Sequence, residues 1–431
     1  MQRHNTNTDM RYLKRIVDTL LEKKLRSSAA VLVEGPKWCG KTSTCAQIAK
    51  SAIYVQDPDR RASYRQMADA KPSLLLQGDT PHLIDEWQTL PILWDAVRYE
   101  ADKRQEMNQF ILTGSATPLD NDIEMEHTGL GRIARLRMYT MSLWESGDSA
   151  GKVSLQALFD RTQTIEMYES PLSIEKLAYL MCRGGWPGSL QLEKEDALEV
   201  AYNYVDELIN VDVNRVDQSE KNPDRVRSIL RSYARNISTM TSATTIMQDV
   251  QANDISITDK TLTNYLTALR RLFVIDDVKA WQPSLRSKTG IRTSDKRHFT
   301  DTSIATAVLQ LTPQSLLSDF NLFGFLFEDL CVRDLRIYLQ PIRGSVFHYH
   351  DNNNLESDII LRLQDGRWAA VEVKTGSKEI EEAADNLLKL KEKIDTSKVG
   401  EPAFLMVLTG GQFAYRRSDG VYVIPLGCLK Q

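Results

Sequence analysis

The stretch Val31-Leu32-Val33-Glu34 followed by Gly35-Pro36-Lys37-Trp38-Cys39-Gly40-Lys41-Thr42-Ser43 constrains this chain more than any other. It is an apolar run of strand length, then the spacing G-x-x-x-x-G-K-T, then the helix-forming stretch STCAQIAK. Glycines in such a loop let backbone N–H groups curl around phosphate oxygens, the helix N-terminus adds its dipole, Lys41 supplies charge and Thr42 a hydroxyl for Mg²⁺. The pattern therefore predicts a nucleotide site, with ATP and Mg²⁺ as cofactors. It also predicts a strand that must lie inside a parallel sheet, because the loop works only between a strand and a helix.

Two further apolar runs fit such a sheet. His82-Leu83-Ile84-Asp85-Glu86 ends in adjacent carboxylates, of which Asp85 is suited to hold Mg²⁺ through water and Glu86 to polarise the attacking water. Phe110-Ile111-Leu112-Thr113-Gly114-Ser115 ends in hydroxyls where a sensor of the terminal phosphate would lie, although Thr and Ser at a strand end also serve plain turns. Strands of this kind separated by helix-length segments predict parallel α/β architecture over residues 1–150.

A length of 431 residues suggests about three domains. With 42% hydrophobic and 26% charged residues, collagen-like, disordered and membrane-embedded classes are excluded. No signal-like or membrane-length apolar window occurs, so a cytoplasmic location and no membrane partner are expected. Cys39, Cys45, Cys182, Cys331 and Cys428 form no C-x-x-C and read as reduced structural thiols. The net charge is −4, yet residues 221–300 carry 14 Lys or Arg against 7 Asp. That asymmetry predicts a local acidic partner such as DNA, or else solvated basic helix faces.

Within the basic segment, residues 258–273 place Leu262, Tyr265, Leu266, Leu269, Leu272 and Phe273 at helical spacing behind a Thr258 cap. Lys260, Thr263, Asn264, Thr267, Arg270 and Arg271 fall largely outside that stripe. With a short helix before it and extended residues after it, the segment resembles a winged helix-turn-helix, which serves DNA or protein contacts. The sequence leaves a homo-oligomer or a protein partner open.

Near the C-terminus, Asp358-Ile359-Ile360-Leu361-Arg362-Leu363-Gln364-Asp365-Gly366-Arg367-Trp368-Ala369-Ala370-Val371-Glu372-Val373-Lys374 reads as two strands around a turn. Glu372 and Lys374 share a face because strand side chains alternate. A two-residue Asp365-Gly366 turn would set Asp358 against Val373, whereas a three-residue loop over 364–366 sets it opposite Glu372, and Gly366 favours the latter. Glu328, on an upstream apolar helix, is a third carboxylate. The D…E-x-K spacing resembles restriction-endonuclease-like nucleases, in which Asp358, Glu372 and Glu328 would hold a metal while Glu372 and Lys374 serve catalysis.

Over nearly the whole chain, the stretches GPKWCGKT, LIDEWQ, ILTGSA, Gly129-Leu130-Gly131-Arg132, MYTMSLWE and Arg183-Gly184-Gly185-Trp186-Pro187 resemble the bacterial and archaeal AAA-like ATPases that carry a C-terminal domain of unknown function with a restriction-endonuclease-like pattern. The resemblance implies Arg132 as an arginine finger or sensor, and an AAA-like P-loop NTPase domain over 1–150. It implies further a helical region over 151–220, a winged helix over 221–302 and a restriction-endonuclease-like α/β domain over 303–431. The implied function is Mg²⁺-dependent ATP hydrolysis coupled to a nuclease-like domain on DNA, or to a switch that cleaves nothing. Arg183 to Pro187 reads as a structural turn before a helix.

Overall fold

In the computed structural model, residues 12–116, 132–215, 221–252, 256–286 and 290–431 are described. The first layer is helix α1 (Ile16–Leu25), strand β1 (Ala30–Glu34), helix α2 (Lys41–Ala46), β2 (Ser51–Tyr54), α3 (Arg61–Ala70), β3 (His82–Asp85), α4 (Ile92–Arg104), β4 (Phe110–Gly114) and β5 (Ile133–Arg137). The five strands form a parallel sheet in the order β2-β3-β4-β1-β5. Alternation along β1 sends Val31 and Val33 to one face, against Val17, Leu21 and Leu25 of α1 and Cys45 of α2. Ala30 and Leu32 go to the other face, with Tyr64 and Ala68 of α3 and Leu93, Trp94 and Val97 of α4. Apolar side chains on both faces are what a sheet covered by crossover helices requires.

Strand β6 (Val153–Ser154), α5 (Leu155–Phe159), β7 (Tyr168–Glu169), α6 (Ile174–Arg183) and α7 (Lys194–Glu207) follow. A π-helical turn over Leu208–Asp212 and a last turn, α8 (Val213–Arg215), close this stretch. Then come α9 (Pro223–Arg235), α10 (Ala243–Gln251) and α11 (Asp259–Arg271), in which Thr258 caps α11 by accepting the Thr261 N–H at 3.2 Å. The expected stripe is buried and Lys260, Thr263, Asn264, Thr267 and Arg270 are exposed.

The remainder is β8 (Lys279–Ala280), α12 (Thr302–Val308), α13 (Pro313–Ser318), α14 (Phe320–Leu339), β9 (Gly344–His350), β10 (Glu356–Leu363), β11 (Trp368–Lys374), α15 (Ile380–Lys393), α16 (Thr396–Val399), β12 (Leu405–Thr409), β13 (Phe413–Arg416), β14 (Tyr422–Pro425) and β15 (Leu429–Lys430). Eight strands form a mixed sheet in the order β7-β13-β14-β12-β11-β10-β9-β8. Phe323, Leu326, Phe327 and Leu330 of α14 share a core with Ile359, Leu361 and Val371, while Ala383, Leu387 and Leu390 of α15 pack with Ile360, Trp368 and Ala370.

Here the structure departs from the expected segmentation. The region 151–220 is not purely helical: β7 extends the C-terminal sheet beside β13, and β6 pairs with β15. After α11, Ile275 pairs antiparallel with Phe299 and Val278 with Lys296, and β8 joins the same sheet as an edge strand beside β9. Short strands find partners wherever an unpaired edge waits, and spacing along the chain does not reveal that edge. All five cysteines are free and buried, as expected. Among the described residues, no helix is long and apolar enough to cross a membrane.

Candidate nucleotide site and C-terminal carboxylate cluster

The loop after β1 and the ends of β3 and β4 meet at the C-terminal edge of the parallel sheet, the edge where open α/β sheets bind ligands. Gly40 begins α2 with φ +98°, a conformation that a side chain would strain. Because β4 lies between β1 and β3, Thr113 stands between the loop and Asp85. Its hydroxyl donates to Asp85 Oδ1 at 2.7 Å, and Thr42 donates to the same oxygen at 2.7 Å. Glu86 has φ +56°, and its N–H donates to Thr113 Oγ1 at 2.9 Å. Its carboxylate accepts from Ser115 Oγ at 2.8 Å and from Gln88 Nε2. Thr42, Asp85, Glu86, Thr113 and Ser115 are thus one connected set.

A cavity of about 620 Å³ opens over this set, lined among others by Tyr12, Trp38, Lys41, Ser43, Glu86 and Gln191. Lys41 is buried and donates to the loop carbonyls of Gly35 and Pro36 at 3.0 and 2.9 Å. Phosphate oxygens arriving in the loop would exchange those neutral acceptors for charged ones, a stronger bond. Lys37 points away from the loop, to Glu207 and to Asp212 at 3.2 Å, on either side of the π-helical turn. Although burial works against its ammonium, these carboxylates hold Lys37 above the ordinary lysine value. Trp38 meets Tyr204 edge-on at 5.7 Å, and the Cys39 carbonyl accepts from buried Arg15 at 3.0 Å. The donors suit Mg²⁺, which takes one hydroxyl and one carboxylate and completes its shell with water and phosphate.

Arg132 stands apart from this set. It precedes β5, and its carbonyl accepts the N–H of Ala30 at the start of β1, so it lies at the N-terminal edge of the sheet. The loop follows Glu34, about 16 Å away along the strand at ordinary rise per residue. The exposed Arg132 guanidinium is paired with Asp102. It does not reach the nucleotide site of its own chain. Gly129 to Gly131 lie outside the described residues.

Sequence reasoning missed Arg15 and the network behind it. Arg15 donates to Glu145 at 3.1 Å and to the carbonyls of Tyr139 and Thr140 at 3.0 and 3.1 Å. Thr140 donates to Asp301 at 2.6 Å, and Asp301 also accepts from Gly185 N and, at 3.2 Å, from Arg333. Arg333 bonds Asp334, which accepts the Leu143 N–H at 2.9 Å. The stretch 139–145 and the turn at Gly184 and Gly185 therefore connect the loop to α12 and α14. Pro187 lies against Gly40.

In the C-terminal hairpin, Ile359 faces Val371 and Arg362 faces Trp368, the register of a three-residue loop, with Gly366 at φ +94°. One step beyond, Asp358 and Glu372 come to the same side. Lys374 Nζ lies 3.2 Å from Glu372 and 4.0 Å from Asp358. Glu328 of α14 approaches as well. The unexpected member is Lys296, whose Nζ lies 2.6 Å from Glu328 and 3.4 Å from Asp358. Burial, then the Asp358 charge, pushes Glu372 well above the ordinary carboxylate range, and burial pushes Glu328 up to about 8 in spite of Lys296. Against burial, Lys296, Lys374 and the Val373 N–H hold Asp358 low. The expected metal set of Glu328, Asp358 and Glu372 is corrected accordingly: among the described residues no group of three or more His, Cys, Asp or Glu is arranged to hold a metal ion. The carboxylates converge on ammonium groups.

The basic surface is also less free than its count suggested. Arg235 pairs with Asp249 at 2.8 Å, and Arg270 and Arg297 both reach Asp277 at 3.0 Å. Asp, sparse in this segment, sits where these arginines need it.

Residues 27–146 match the family described as an AAA domain. The N-terminal unit is an AAA-like P-loop domain. Residues 174–315 and 323–429 match two families described as domains of unknown function, DUF8612 and DUF4143. Uncharacterized protein Rv2008c of Mycobacterium tuberculosis and uncharacterized protein Mb2031c of Mycobacterium bovis are each 22% identical over 411 residues, spanning 94% of this chain and 82% of theirs. A Walker-type ATPase of Pyrococcus abyssi, paby2304, overlays with a TM-score of 0.42 at 14% identity, covering 69% of this chain and 96% of that one.

Proposed function

We propose that the chain is a Mg²⁺-dependent ATP hydrolase that acts as a nucleotide-driven switch, its state relayed through residues 139–145 to a nuclease-like C-terminal domain that binds on or near DNA. The observation that carries the ATPase reading is the set Thr42–Asp85–Thr113 beside Glu86 at the mouth of the loop. Lys41 and the loop N–H groups bind the phosphates, Asp85 and Thr42 would hold Mg²⁺, and Glu86 orients and polarises the water. Bound there, Mg²⁺ would supply charge neutralisation of the phosphates. Arg132 would contribute only from a neighbouring copy of the chain.

The nuclease-like reading draws on the order helix α14, antiparallel β9, β10 and β11, helix α15, parallel β12, with Asp358, Glu372 and Lys374 at one end of the hairpin. Between cleavage and a switch that cleaves nothing, Lys296 among the carboxylates favours the switch.

Lys41→Ala should reduce ATP affinity and turnover at least 100-fold, since a charge-assisted contact worth about 3 kcal/mol is lost. A nucleotide-binding titration and a phosphate-release assay measure both. Turnover near that of the parent would refute the site.

For DNA, the exposed face of α11 is the interface we assign. With about three phosphate contacts, affinity for duplex DNA should fall on the order of 40-fold between 50 and 200 mM salt. Lys260→Glu should weaken binding and flatten that dependence, as read by fluorescence anisotropy. Absence of binding at low salt, with and without ATP, would leave α11 as a protein contact.

A further inference from the structure

The nuclease-like reading implies a divalent metal between Asp358 and Glu372, and the arrangement of side chains does not fit one. Lys296 Nζ stands 2.6 Å from Glu328 and 3.4 Å from Asp358, with its side chain 13% exposed. Lys374 approaches the other carboxylate oxygen of Asp358, at 4.0 Å, and lies 3.2 Å from Glu372. An ammonium is a compact point charge with three donors, so at these distances it supplies what a bound cation would supply.

We propose that Lys296 is the resident cation of this cluster, holding the C-terminal site closed to divalent metal, and that a metal site forms only when Lys296 is withdrawn. The inference rests on the nuclease-like reading of the domain. Lys296 does not belong to the hairpin or to α14. It arrives from the segment before α12, where its N–H and carbonyl exchange hydrogen bonds of 2.8 and 2.9 Å with Val278. The next residue, Arg297, shares Asp277 with Arg270 at the end of α11. The blocking side chain is therefore anchored to the helix whose exposed face we assign to DNA. A cavity of about 240 Å³ lined by Lys296, Glu328, His348, His350 and Asp358 adjoins the cluster, so an ion has a route once the lysine moves.

Mn²⁺ binding to the nucleotide-free full chain, followed by electron paramagnetic resonance at pH 8, tests this. The parent and Asp358→Asn should bind Mn²⁺ alike. Lys296→Met, which keeps the apolar stem, should bind one Mn²⁺ at least tenfold more tightly than the parent, and Lys296→Met with Asp358→Asn should lose it. A parent site removed by Asp358→Asn would overturn the proposal, and that arm needs no Lys296 variant to fold. Folded Lys296→Met with no gain, checked by circular dichroism, would overturn it too. Incubating Lys296→Met with Mn²⁺ and linear duplex DNA separates the two readings: tight Mn²⁺ without cleavage upholds the resident cation and refutes a latent nuclease.

Discussion

Glu86→Gln should bind ATP within a few-fold of the parent while its turnover falls by roughly 10²–10⁴, the range supplied by a positioned acid–base group. The substitution is nearly isosteric. The amide still accepts from Ser115 Oγ, now 2.8 Å from Glu86 Oε2, and the backbone N–H still reaches Thr113. What it loses is the negative charge that polarises water. Isothermal titration with ATP gives the affinity, and steady-state phosphate release gives the turnover. A Glu86→Gln protein that hydrolysed ATP like the parent would remove Glu86 from the mechanism. Equal loss of affinity and turnover would make it a structural residue of the strand end.

Arg333→Leu should destabilise the chain by about 3–5 kcal/mol, the cost of breaking a buried ion pair from one side. Arg333, Asp301 and Asp334 are all almost fully buried, and the guanidinium joins the two carboxylates at 3.2 and 2.8 Å. Without it, Asp301 keeps its hydroxyl and N–H donors but loses its counter-charge, and Asp334 keeps, among the described residues, Leu143 N and Tyr338 OH. Replacing Arg333, Asp301 and Asp334 together by apolar residues should cost much less, because the penalty lies in the orphaned charge. Urea unfolding followed by circular dichroism would show the difference. A loss under about 1 kcal/mol for Arg333→Leu would mean that water reaches the network. Since the same carboxylates hold Thr140, Gly185 and Leu143, Arg333→Leu should also uncouple ATP turnover from any response to DNA.

The parts legible from the chain alone are those in which chemistry and geometry lie within one short stretch. Gly35 to Ser43 specifies its own loop because the backbone N–H groups that would cradle phosphate lie within one short run. Thr258 caps α11 through a residue three positions on, and Leu262, Tyr265 and Leu269 bury by helical period. Gly366 at φ +94° sets the loop length, and loop length sets which of two faces Glu372 takes. Period and turn chemistry are local, so they survive without knowledge of the rest.

Tertiary structure decided what depends on long-range partners. Arg132 sits beside a conspicuous motif stretch, yet the direction of β5 carries it to the edge away from the loop. Lys296 reads as one more basic residue in a basic segment, and only its bridge to Val278 turns it into the carboxylate cluster. Arg15 and Arg333 lie far apart in sequence and become a connected path because residues 139–145 bond Arg15 directly and also bond Asp301 and Asp334, the two carboxylates that Arg333 joins. A charge acquires its meaning from the groups it meets after folding. In a low-dielectric interior those few contacts outweigh anything the net charge of a segment predicts.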